Sequence, residues 1–211
     1  MKVTAFNGSA RKDGNTAKLV RHVFSELEKE GIETELVQLA GERVRGCVAC
    51  YQCWKNKDGA CVIKDDIVNS CIGKMKGADG IILASPTYFA DVTSEMKAIV
   101  DRTGMVARAN DDMFKRKAGA AVVAVRRGGA IHAFDSLNHF FLIGQMIIPG
   151  SSYWNLAYGR EVGEVEKDDE GMRTMKKLAG QPAPNRFRNA AGRPVPVPRA
   201  SNVRCRAGSC C

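Results

Sequence analysis

Short, continuously apolar stretches recur along the chain, and each gives way to a loop carrying glycine or proline. Val3-Thr-Ala-Phe-Asn7 ends in Gly8-Ser9, and Gly80-Ile-Ile-Leu-Ala84 ends in Ser85-Pro86. Ala118 to Val125 ends in Arg126-Arg127-Gly128-Gly129. Thr34 to Leu39 alternates, and Gln145-Met-Ile-Ile148 is a shorter run stopped by Pro149-Gly150. Apolar runs of this length fit strands buried on both faces of a sheet. After the first loop, Leu19, Val20, Val23, Phe24 and Leu27 recur at helical spacing, and Gly31 closes the helix. Further helical patterns lie near 66–76, 94–103 and 131–143, and a last one starts near Asp168 and stops at Ala179 with little apolar face. Strand, loop and helix in repetition predict an α/β fold: a five-stranded parallel sheet with helices on both faces.

Five strands in about 180 residues is the size of a flavodoxin-like domain, and such sheets bind ligands at the carboxyl ends of their strands. Three of those ends carry unusual loops, at 8–16, 85–91 and 126–130. The domain is expected over 1–179, with a cysteine-rich insertion at 47–61. From 180 onward the composition changes. Residues 181–211 hold five of the seven prolines and six arginines, with no lysine and no acid. A disordered basic tail is expected over 180–211. It carries most of the formal net charge of +9, so the charge argues little for a nucleic-acid partner. No apolar run approaches a bilayer span, and Asn7 and Gly8 interrupt the start before a signal-peptide core can form. A cytoplasmic protein without a membrane partner is expected.

The loop Gly8-Ser9-Ala10-Arg11-Lys12-Asp13-Gly14-Asn15-Thr16 joins a buried strand to a helix N-terminus, where free N–H groups and the helix dipole attract an anion. Ser9, Asn15 and Thr16 can donate to a phosphate, Arg11 adds a charged donor, and Gly14 permits close backbone approach. Five residues separate the glycines and Asn15 stands where a Walker lysine would be, so a single terminal phosphate suits the loop better than a triphosphate. On the third strand, Pro86 stiffens the exit, and Thr87, Tyr88 and Phe89 offer N–H groups and aromatic surface to a flat ring.

Cys47, Cys50, Cys53 and Cys61 form the pattern C-x2-C-x2-C-x7-C. In a chain expected to be intracellular, such a cluster points to a metal or redox site rather than to disulfides. Four thiolates suit a [4Fe–4S] centre, and the first three match the start of ferredoxin sites. Zinc, a dithiol relay and a structural role are the other readings. Cys71 sits in an apolar helical pattern and reads as core. His22, His132 and His139 read as ordinary surface or packing residues.

Together, the glycine loop, Ser85-Pro86-Thr87-Tyr88-Phe89 and the cysteines between them resemble the NADPH-dependent FMN reductase-like, flavodoxin-fold family, and within it the iron–sulfur flavoproteins. The resemblance implies that Ser9, Arg11, Gly14, Asn15 and Thr16 hold the FMN phosphate. It implies that Pro86, Thr87, Tyr88 and Phe89 cradle the flavin ring, and that Arg126, Gly128 and Gly129 cover its other side. Cys47, Cys50, Cys53 and Cys61 would ligate a [4Fe–4S] cluster. The implied activity is an FMN-dependent oxidoreductase drawing electrons from NAD(P)H or ferredoxin and passing them to an acceptor such as a quinone. Two alternatives are a cluster-free NAD(P)H:FMN or quinone reductase, and an FMN redox carrier or sensor without turnover. No side chain is expected to act as acid or base, and a homodimer or homotetramer is implied.

Overall fold

The structure is a computed structural model and describes residues 1–180. Its elements run β1 (Lys2–Asn7), α1 (Asn15–Lys29), β2 (Glu33–Gln38), α2 (Gln52–Asn56), α3 (Val68–Gly77) and β3 (Gly80–Pro86). They continue with α4 (Ser94–Ala109), β4 (Ala118–Val125), α5 (Ala130–Ile143), β5 (Leu156–Tyr158), a 3-10 turn (Glu164–Lys167) and α6 (Asp169–Gly180). The sheet order is β2-β1-β3-β4-β5, and every neighbouring pair is parallel. This is the doubly wound, flavodoxin-like arrangement, with the order reversing between β1 and β3.

Alternation along the strands divides the core into two layers. Val3 and Ala5 of β1, Ile82 and Ala84 of β3, and Val122 of β4 face α1 and α6 through Leu19, Val23, Met175 and Leu178. Phe6, Ile81, Leu83, Val123 and Val125 face α3, α4 and α5 through Ile72, Met96, Ile99, Leu137 and Phe141. Each large apolar side chain so buried contributes about 1.5–3 kcal/mol. Because both faces are covered, the sheet edges and the long connection from β2 to α3 are open to functional groups.

Two sequence expectations change. The run at 145–148 is not the fifth strand. Gln145 leaves α5 with φ 52, Ile147 makes one bridge to Ala118, and Pro149, which lacks an N–H, ends the pairing. The chain then returns to β4 as Leu156–Tyr158, paired with Val123–Val125. The last helix is also better packed than its sequence implies. Thr174, Met175, Leu178 and Ala179 are buried, and the helix runs through Gly180. The disordered tail expected over 180–211 otherwise lies outside the described residues. Among the described residues, no helix is long and apolar enough to cross a membrane.

Candidate functional site

The turn after β1 is built from side chains on two strands. Asn7 and Gln38 are register partners at the ends of β1 and β2. The Asn7 amide donates to Gln38 Oε1 at 2.7 Å, and its Oδ1 accepts from the Ser9 N–H at 3.0 Å. Gln38 donates to the Ser9 carbonyl at 2.9 Å, and Ser9 Oγ accepts from the Arg11 N–H at 3.1 Å. The Gly14 N–H closes the turn on the Arg11 carbonyl at 3.1 Å. A side chain at Gly14 would place Cβ 2.9 Å from that of Arg11, which explains the glycine. No side chain caps α1, so its N-terminal turn opens onto the cavity outside.

That cavity, of about 170 Å³, is lined by Ser9, Arg11, Asn15 and Thr16, by Pro86, Thr87 and Tyr88, and by Ala124, Arg126, Gly159 and Arg160. The structure thus brings the first loop, the second loop and Arg126 together. Asn15 departs from expectation: its amide donates to the Glu161 carbonyl at 2.9 Å and its oxygen accepts from the Gly163 N–H at 2.8 Å. It ties down the loop after β5 in addition to lining the cavity.

The second loop also differs from its sequence reading. The Thr87 N–H is taken by the Ala124 carbonyl at 3.0 Å and the Tyr88 N–H by the Asp91 carbonyl at 2.7 Å. Neither is therefore free for a ring. The turn places Phe89 and Ala90 at positive φ and leaves Phe89 fully exposed, outside the cavity lining. The Thr87 hydroxyl, by contrast, is buried without a partner. Gly128 is exposed and faces open space rather than the cavity. Gly129 has φ +88, and a Cβ there would come 2.8 Å from Ala90 Cα, so it packs the second and third loops together. Sequence alone does not single out Asn7, Gln38, Gly159 or Arg160. The last two follow the three-residue β5, whose apolar signal is too short to mark a strand end.

The cavity fits a phosphorylated ring ligand on its own chemistry. Arg11, Arg126 and Arg160 lie around it, α1 points its uncapped N-terminus into it, and the Thr87 hydroxyl lacks a partner. A larger cavity of about 380 Å³ lies between the starts of α5 and α6, among Tyr153, Trp154 and Tyr158. It holds none of the buried unpartnered polar atoms, and the three loops do not converge on it.

The four cysteines occupy the connection from β2 to α3. Cys47 and Cys50 are exposed, and Cys53 and Cys61 are half-buried. All four line one small cavity of about 20 Å³, together with Arg102. Ala49, Tyr51 and Lys57 hold left-handed φ values near 50°, which costs energy at non-glycine residues. Asn69 fixes the end of the segment: its Oδ1 accepts from the Cys61 N–H at 2.8 Å, and its amide donates to the Cys61 and Ile63 carbonyls, each at 2.9 Å. Burial pushes the Cys53 thiol up. Cys71 lies apart in the core, where burial pushes its thiol up to about 12. Among the described residues, no group of three or more His, Cys, Asp or Glu converges as the ligands of a single metal ion.

A parallel 2-1-3-4-5 sheet with an anion-ready loop at its switch point defines a flavodoxin-like protein. The family model described as NADPH-dependent FMN reductase matches residues 1–161, and the chain belongs to that family. An iron–sulfur flavoprotein of Methanocaldococcus jannaschii is 38% identical over 184 residues, covering 84% of this chain and 93% of that one. Another from Methanosarcina thermophila is 34% identical over 187 residues, covering 85% and 92%. The solved Trp repressor binding protein from Bacillus subtilis aligns with a TM-score of 0.61 at 16% identity, over 83% of this chain and 96% of that one, which is a likeness of fold. The chain is an FMN flavoprotein and a flavin-dependent oxidoreductase.

Proposed function

We propose that this oxidoreductase couples FMN to a [4Fe–4S] cluster held by Cys47, Cys50, Cys53 and Cys61. The observation that carries the reading is that all four thiols line one cavity. Four thiolates around a shared hollow suit a centre that offers each its own iron, whereas a lone zinc needs its ligands gathered at about 2.3 Å from one point. When bound, FMN supplies two-electron chemistry that can be split into single-electron steps, and the cluster supplies a one-electron store. The chain's own work is positional. Ser9, Thr16 and the α1 N-terminus hold the phosphate, and Arg11, Arg126 and Arg160 neutralise it. Thr87 offers its hydroxyl to the ring end, and the apolar Val48 and Val62 border the thiols. No side chain is assigned as acid or base.

Ferredoxin is the donor in this reading and a quinone-like molecule an acceptor. NAD(P)H is the second reading for the donor, favoured by the exposed Arg126-Arg127 pair beside the cleft, since arginine suits a 2′-phosphate. Exposed Val48, Tyr51, Trp54 and Val62 on the cysteine segment favour a homodimer or homotetramer. The test is a visible spectrum of anaerobically purified protein, before and after adding NADPH or reduced ferredoxin. Flavin bands overlaid on broad cluster absorption, bleached by the physiological donor, are expected. A flavin-only spectrum after reconstitution with iron and sulfide overturns the cluster.

A further inference from the structure

Arg102 projects from the middle of α4, yet it is only 1% exposed. Its Nη1 donates to the Arg45 carbonyl at 3.1 Å and to the Asp66 carboxylate, and its Nη2 donates to the Ile63 carbonyl at 3.0 Å. Arg45 stands two residues before Cys47, and Ile63 two residues after Cys61. One guanidinium therefore fastens both ends of the cysteine segment. Asp66 completes the fastening, because its Oδ2 also accepts from the Arg45 N–H at 3.1 Å.

A second feature goes beyond fastening. Arg102 Nε is buried and has no hydrogen-bond partner. A charged donor left unpaired in the interior is costly, so its presence calls for an acceptor. The guanidinium lines the same cavity as the four thiols and adjoins Cys61. Sulfur is a weak acceptor as a thiol and a far better one as a thiolate.

We propose that Arg102 is the positioning residue of the cysteine segment, closing its two ends and keeping one N–H for anionic sulfur in the cavity. This rests on the reading of Cys47, Cys50, Cys53 and Cys61 as the ligands of one cluster. Four thiolates carry more negative charge than an iron–sulfur core offsets, and reduction adds more. Asp66 offsets most of the guanidinium charge, so it is the N–H donated to sulfur that favours the reduced form and raises the reduction potential. Lysine would keep the charge but lose the planar fork that reaches both carbonyls and Asp66.

The test uses FMN-loaded protein and three forms of the chain: wild type, Arg102→Lys, and Arg102→Gln combined with Asp66→Asn. The double variant removes the charge from both partners, so no buried carboxylate is left uncompensated. Retained FMN and an intact melting transition certify the fold. Hydrogen exchange over 44–66 reads the fastening whether or not iron is bound. It is expected to rise about tenfold in both variants while 8–16 is unchanged. Iron and sulfide analysis of wild type tests the cluster itself, so an iron-free wild type removes that reading and leaves exchange to decide the fastening. In iron-loaded protein, the cluster's reduction potential is expected to fall in the double variant, which lacks the arginine Nε–H donor. Unchanged exchange over 44–66 overturns the proposal, as does an unchanged cluster potential in the double variant.

Discussion

The loop at 8–16 and the segment at 45–63 both leave the carboxyl ends of strands to line a cavity, but they are held in opposite ways. The first is short and anchored by two paired strand ends, with Asn7, Gln38 and Ser9 satisfying one another. Its shape is set by these internal hydrogen bonds, and the uncapped N-terminus of α1 faces the cavity. The second is long and has little apolar anchorage. Three non-glycine residues in it sit in left-handed conformations, and its ends are tied by Arg102, Asp66 and Asn69. A loop locked by paired strand ends and a segment held by polar ties should respond to different perturbations.

The largest effect is expected at the polar tie. Burial pushes the Asp66 carboxyl up, but Arg102 and the N–H groups of Arg45 and Val68 outweigh it and hold it below the ordinary carboxylate range. Asp66→Asn leaves Arg102 buried without its counter-charge and should cost about 3–5 kcal/mol, measured by urea unfolding. The sign with pH is that of a depressed folded-state value. The contribution is complete above the unfolded value of about 3.9 and is lost as pH falls through the lower folded value. Wild type should therefore lose stability on that acid limb more steeply than Asp66→Asn, and equal slopes would break the comparison.

Next comes the anion site. Replacing Asn15 and Thr16 with Ala removes a cavity hydroxyl and frees the loop carrying Arg160. Two charge-assisted hydrogen bonds correspond to about a hundredfold in FMN affinity, read by flavin fluorescence titration. Unchanged affinity would show that the loop does not hold the phosphate. Gly129→Val is smaller: a left-handed position and a 2.8 Å approach to Ala90 should cost about 2 kcal/mol, or roughly 5 °C of melting temperature. The smallest effect sharpens the contrast among thiols. In iron-free protein, Cys47 and Cys50 should react with iodoacetamide at neutral pH while Cys71 stays unlabelled until urea is added. Early labelling of Cys71 would place it outside the core.

The same contrast explains what can be read from the residues alone. β1, β3, β4 and the loop at 8–16 follow from local pattern, because apolar continuity and glycine placement carry the signal within a few residues. The Asn7–Gln38 pair does not, since it exists only once β1 and β2 lie in register. Arg160 arrives from the far end of the chain behind a three-residue strand. Arg102 carries no mark in the sequence that separates it from a solvent-facing helix position, because arginine is seldom buried. Only the packing of 45–66 over it reveals its partners. The N–H groups expected to be free at Thr87 and Tyr88 are taken for a related reason. The neighbouring β4 and a tight turn at 88–91 claim them.

In the proposed function, one chain carries an FMN site and a separate iron–sulfur site. The most direct measurement is FMN, iron and sulfide per chain in anaerobic wild type and Cys53→Ala, prepared side by side. FMN is expected in both, with about four iron and four sulfide in wild type and none in the variant. Iron retained by Cys53→Ala, or a wild type that takes up no iron and sulfide on reconstitution, would contradict it.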